Sequence, residues 1–223
     1  MKKNLIYLAI LLVGALASCS NNSNEIGQIV PFYQILGVEY DATHNETHAG
    51  ANFKRNDIEG TNLKLSSGAV LINGIEPLFE TSGVYYYKES FKGLQDITFT
   101  LSRSQDRVFI NKASMIDATF IGIPETFTSI DKHETTVLAW EGAPIAKNEY
   151  VIVRLECNGE TYKFYNRSVG EKSIAIDIDE DVTAKDAKLY LGRVSSNPLQ
   201  QNDNNAGGRI NVMYTVSKQV TIR

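Results

Sequence analysis

From Tyr150 onward the chain alternates apolar and polar residues with a period of two. Val151, Val153, Leu155 and Cys157 share one parity; Ile152, Arg154 and Glu156 share the other. Such alternation places successive side chains on opposite faces of a β-strand. Asn158-Gly159 follows, a pair that tolerates positive φ and so suits a two-residue hairpin turn. Closing that turn pairs Cys157 with Glu160, Leu155 with Tyr162 and Val153 with Phe164. The apolar residues of both strands then meet on one face.

The same pattern recurs on both sides of this hairpin. Thr136-x-Leu138-x-Trp140 alternates, with Trp140 as a core anchor, and Ile174, Ile176 and Ile178 alternate with polar neighbours. Leu189-Tyr190-Leu191 predicts another strand, and Ile210 to Ile222 keeps one apolar parity to the end of the chain. In the N-terminal half, Val70-Leu71-Ile72 leads through Asn73-Gly74 to Ile75, Ile97-x-Phe99-x-Leu101 alternates, and Val108-Phe109-Ile110 follows a polar turn. Tyr85-Tyr86-Tyr87 is strand-like. Residues 41–60 read as a long loop around a short strand near Ala51–Phe53. No helical period stands out after the first 18 residues. Many short strands separated by turns predict an all-β fold, here two antiparallel β-sandwich domains covering 29–115 and 116–223, divided near Met115–Ala118.

The N-terminus follows a different pattern. Lys2 and Lys3 precede an unbroken run of apolar and small residues, Leu5–Ala17, which is shorter than the ~20 residues of a membrane-spanning helix and suits an export signal. Leu16-Ala17-Ser18-Cys19 resembles the lipobox of bacterial lipoproteins. The resemblance implies a signal peptide over 1–18, cleavage before Cys19, acylation of its thiol and new amine, and a lipidated tether over 19–28. One acyl chain anchors only marginally and a second makes attachment stable, so Cys19 is expected to tie the protein to a membrane. Ser20 stands where lipoproteins retained in the inner membrane carry Asp, which favours the outer membrane. The first acid after the cysteine is Glu25, which favours a periplasm-facing location over the cell surface.

Asp186-Ala187-Lys188-Leu189-Tyr190 resembles the Asp…Tyr approach to strand F of immunoglobulin-like domains, where the tyrosine makes a corner hydrogen bond. Position 192 is Gly instead of the second cysteine, and Trp140 precedes the 151–157 strand. The implied domains are immunoglobulin-like sandwiches of the kind without a disulfide.

Composition narrows the function classes. The chain has 22 basic and 26 acidic residues. Lys2 and Lys3 leave with the signal, so the mature chain is more acidic still, which argues against a nucleic-acid partner. Cys19 and Cys157 are the two cysteines. With Cys19 lipidated, Cys157 has no disulfide partner and reads as a buried strand thiol.

Candidate chemistry is sparse. His44-Asn45-Glu46-Thr47-His48, with Asp41 nearby, is the one metal-like constellation. Two histidines four apart share a face of a helix and can hold zinc, but the metalloprotease motif places Glu directly after the first histidine. Its neighbours suggest a polar loop. Asp177-Ile178-Asp179-Glu180-Asp181 begins like a calcium loop but has Val182 where Gly is needed and Lys188 where Glu is needed. Ser195–Gly208 reads as a long polar loop at the end of a sandwich, with Asn202, Asp203 and Asn204 as candidate binding residues. Tyr85, Tyr86 and Tyr87 are candidates for a sugar-stacking strip, with core or edge packing as the alternative. No catalytic set and no cofactor motif emerges. The expectation is a non-enzymatic envelope lipoprotein that binds or spaces, its partners being the membrane and an envelope protein or glycan. The alternatives are a glycan-binding accessory module and a metal-dependent hydrolase using His44, Glu46 and His48.

Overall fold

The computed structural model describes residues 30–82, 86–104, 106–115, 120–183, 185–203 and 206–223. The export signal, Cys19 and the tether lie outside the described residues, as do Tyr85 and Asn204.

The fold is all-β and is organised around one large sheet. Its central strand is β1 (Phe32–Asp41), which turns through residues 42–45 into the antiparallel β2 (Glu46–Arg55). On its other side β1 lies parallel to the last strand, β16 (Gly208–Ile222). Beyond β2 come β5 (Tyr87–Lys92) and the short β4 (Leu78–Phe79). Beyond β16 come β15 (Asp186–Pro198), β12 (Glu149–Cys157) and β13 (Glu160–Asn166), while β9 (Ser129–Ile130) joins the far end of β16.

Smaller sheets cover one face of this large one. A three-stranded sheet of β3 (Val70–Ile72), β6 (Ile97–Ser104) and β7 (Arg107–Ala113) covers one half. The pairs β10 (Thr136–Ala139) with β14 (Ser173–Ile176), and β8 (Ile121–Gly122) with β11 (Glu141–Gly142), pack over the other half. Two apolar cores result. The first gathers Leu36, Val38, Ala51, Phe53, Ile72 and Phe99 among others; the second gathers Leu138, Trp140, Val153, Leu155, Ile176 and Leu191. β16 serves both, giving Ile210 and Val212 to the first and Val220 and Ile222 to the second.

Register shows that both cores lie on the same face of the large sheet. Leu36 pairs with Ala51 and with Ile210, Val38 with Val212, Val212 with Ser195, and Leu191 with Val153 and Val216. Cross-strand partners share a face, and the core residues follow a single parity along each strand. The opposite face carries the alternate parity and is called the outer face below.

The β12–β13 hairpin has the expected register, Val153↔Phe164, Leu155↔Tyr162 and Cys157↔Glu160. Asn158 and Gly159 have φ of 50° and 82°, as a type I′ turn requires. Val151, Val153 and Leu155 are fully buried.

Three expectations change. Residues 41–60 are mostly strand, not loop, because β2 runs Glu46–Arg55 against all of β1. Its inward residues Thr47, Ala49, Ala51 and Phe53 do alternate, but alanines give a faint hydrophobic signal. The polar loop begins only after Pro198, since Ser195, Ser196 and Asn197 continue β15 in register with β16. Tyr190 belongs to the outer face, where the Arg154 guanidinium lies 4.0 Å from its ring centroid and the Lys188 ammonium 4.8 Å. Its hydroxyl makes no corner hydrogen bond among the described residues. At position 192, Gly leaves room for the Met213 sulfur, 3.1 Å from where a Cβ would stand.

Candidate functional site

The histidine constellation falls on the β1–β2 hairpin. Asp41 ends β1 and its carboxylate accepts hydrogen bonds from the amides of Thr43 (2.9 Å) and His44 (3.2 Å), folding the turn. His44 Nδ1 lies 2.6 Å from the same carboxylate. Partial burial raises the Asp41 pKa, but the bonds from the His44 ring and from the two amides outweigh it and hold the carboxyl below its ordinary value. His44 is thus a turn residue paired with Asp41. Glu46 and His48 share a face of β2, with His48 Nδ1 2.9 Å from Ser90 Oγ and Nε2 3.8 Å from Glu46. Among the described residues no group of three His, Cys, Asp or Glu is placed to hold a metal ion.

Of the three tyrosines, Tyr86 and Tyr87 are described, and they do not share one exposed face. Tyr87 is buried in the first core, edge-on to Phe53, and its hydroxyl accepts the Leu65 amide at 2.5 Å. Burial raises its pKa against the lowering effect of that bond. Tyr86 stacks on Phe79, ring centroids 6.0 Å apart, and its hydroxyl accepts a bond from Asn62.

The polar loop after β15 is a brace. The Asp203 side chain is fully buried, with its carboxylate shared between Arg103 and Arg107 and accepting the Phe32 amide at 3.0 Å. Arg103 also donates to the Val30 carbonyl (2.7 Å) and lies over the Phe32 ring. Gln200 and Gln201 side chains bond the free edge of β7: Gln201 Oε1 accepts the Ile110 amide at 2.7 Å, and Gln200 Oε1 accepts the Lys112 amide at 2.8 Å. Asp203, expected as a binding residue, is therefore committed to the fold. Asn202 is exposed.

The Asp177–Asp181 segment borders a shallow polar depression with Lys132, His133 and Glu134. The more closed groove lies on the outer face of the large sheet and has a volume of about 380 Å³. Strand register builds it from two rows. The first crosses six strands: Tyr150, Val194, Met213, Glu39, His48 and Ser90, each paired with the next. The second runs Asn211, Gly37, Gly50 and Lys88. Gly37 and Gly50 face each other, so two adjacent positions lack side chains and the sheet surface dips between them. Val194 and Met213 continue an apolar floor, Tyr150 stands at one end, and Glu39, His48, Ser90, Asn211 and Lys88 supply polar groups. A concave, largely apolar surface with a few convergent polar groups is how small-ligand sites are built.

Of the expected site residues, only His48 lines this groove. Gly37, Glu39, Gly50, Ser90, Tyr150, Asn211 and Met213 carried no motif. A partial signal exists in β1, where Gly37, Glu39 and Asp41 alternate with Leu36, Val38 and Tyr40. That parity names an outward face but not which strands lie beside it. No protein-family model matches the chain, and no curated protein matches it.

Proposed function

We propose that this chain is a lipid-anchored, non-catalytic lipoprotein of the cell envelope, held at the outer membrane by acyl chains on Cys19, whose outer sheet face binds a ligand. The binding half of this reading rests on the groove floored by Gly37, Gly50, Val194 and Met213. The anchoring half rests on the basic start, the short apolar run and Leu16-Ala17-Ser18-Cys19. The two cores, with β16 running through both, are read as two sandwich units of immunoglobulin type joined by a shared sheet.

Two observations favour binding over hydrolysis. Among the described residues, His44, Glu46 and His48 do not gather into a group that could hold a metal ion. The His48–Ser90 pair resembles a base and nucleophile, but the Ser90 amide, a natural oxyanion donor, is bonded to Glu89 Oε1 at 3.0 Å. A glycan ligand is the second reading, favoured by an aromatic ring, Tyr150, at one end of a groove that also presents the hydrogen-bonding side chains of Ser90 and Asn211.

Cell fractionation tests the anchor: Cys19→Ala is expected to release the protein from membranes, and retention after a carbonate wash would contradict it. A glycan array probed with the full-length chain in detergent tests the second reading. Hits that vanish in Tyr150→Ala support it, and an array without hits counts against it.

A further inference from the structure

We infer that the ligand of the outer-face groove carries a protonated amine, held by the Glu39 carboxylate. This rests on the reading of the groove as a binding site and specifies what enters it.

The argument starts from charge. Glu39 is half-buried on the central strand, between Met213 and His48 in register. Its carboxylate has no hydrogen-bond or ion-pair partner among the described residues. The other charged groups of the lining are already engaged. Lys88 is neutralised by Glu80 at 2.5 Å, Glu89 accepts the Ser90 amide, and His48 Nδ1 bonds Ser90. Arg167 lies 5.0 Å from the Tyr150 ring centroid but does not line the groove. The outward-facing charge of the lining left without a partner among the described residues is therefore that of Glu39.

A carboxylate drawn partly out of water beside an apolar floor is unfavourable unless a donor meets it. An incoming ammonium supplies both charge and hydrogen bonds, and such charge-assisted bonds are about twice as strong as neutral ones. The volume, about 380 Å³, accommodates a body such as one sugar ring or a short alkyl chain. An anionic ligand would meet the Glu39 carboxylate, while the lysine of the lining, Lys88, is already paired with Glu80. The shared chemistry is thus a small organic body with one protonated nitrogen, from an amino sugar or a simple amine.

The chain carries three methionines, and two of them report on this question. Met213 lines the groove and Met115 is buried in the first core. Full-length protein in detergent, labelled with ¹³C at the methionine methyls, is titrated with two matched pairs: D-glucosamine and D-glucose, n-butylamine and n-butanol. The amine of at least one pair is expected to shift Met213, leave Met115 in place and half-saturate at roughly tenfold lower concentration than its neutral partner, a 1.4 kcal/mol preference. Glucosamine alone points to an amino sugar; both amines point to a simple ammonium site. Glu39→Gln should erase the preference and Glu39→Asp should retain it, with an unmoved Met115 signal showing that each variant is folded. Equal half-saturation within both pairs, or a preference that survives Glu39→Gln, overturns the amine inference and leaves the groove as a binding site. If none of the four compounds moves Met213, the binding reading of the groove fails and the inference with it.

Discussion

The two faces of the large sheet follow different rules although the same strands build both. On the inner face the central strands supply most of the buried apolar residues, and smaller cover sheets complete the two cores. On the outer face, glycines, a carboxylate, a histidine, a serine and an amide alternate with a few apolar groups. Neighbouring residues on one strand, such as Val38 and Glu39, therefore answer to different demands. The inner face excludes water and holds the fold. The outer face buries a few residues, such as Ile35 and Val194, but contributes none to the two large cores.

The sharpest test of this division is a polar residue on the structural side. Asp203 is buried against two arginines and ties the 199–207 loop to Phe32. Removing one member of a buried ion cluster leaves uncompensated charge, so Asp203→Asn is expected to cost about 3–5 kcal/mol in a denaturant melt. A loss under about 1 kcal/mol would return this loop to the surface class of ordinary substitutions.

Next in size is Leu155→Ala, on the inner face of β12, with an expected loss of about 2–5 kcal/mol from lost burial and a cavity. Gly159→Val acts on the backbone instead. With φ of 82° and no atom crowding the site, its expected cost of about 1–3 kcal/mol comes from conformation alone. Smallest is Glu156→Ala, next to Leu155 but on the outer face, where it faces Arg154 in an exposed pair. Exposed pairs contribute about 0–1 kcal/mol, so the variant should melt within about 0.5 kcal/mol of the parent. A Glu156→Ala loss equal to that of Leu155→Ala would mean that the division between faces is false for this strand.

The contrast between the faces also explains what was legible in the sequence. The β12–β13 hairpin could be read in full because its evidence is local: alternation, an Asn-Gly turn and matching apolar parity within 15 residues. β1 and all of β2 but a short strand near Ala51–Phe53 were illegible because their inner face uses Gln34, Thr47, Ala49 and Ala51 among its larger residues. β1 also pairs with β16, some 170 residues away, a partner that local pattern does not reveal. Asp203 looked like a loop residue because its partners Arg103 and Arg107 lie about a hundred positions upstream. The groove was illegible for the same reason. The dip needs Gly37 to face Gly50, and Glu39 acquires its setting only when β16 and β15 lie alongside. Local alternation reveals faces, whereas sites made across strands need the strand order.

The division between a structural and a free face is tested most directly on β1, where both faces meet within four residues. Leu36 is 1% exposed in the first core, and Glu39 stands in the groove. Urea melts of Leu36→Ala and Glu39→Ala, made on the full-length chain, compare them under identical conditions. The expected results are a loss of about 2–5 kcal/mol for Leu36→Ala and a change within about 0.5 kcal/mol for Glu39→Ala. Losses of similar size at both positions would contradict the account, because the outer face would then be holding the fold as the inner one does.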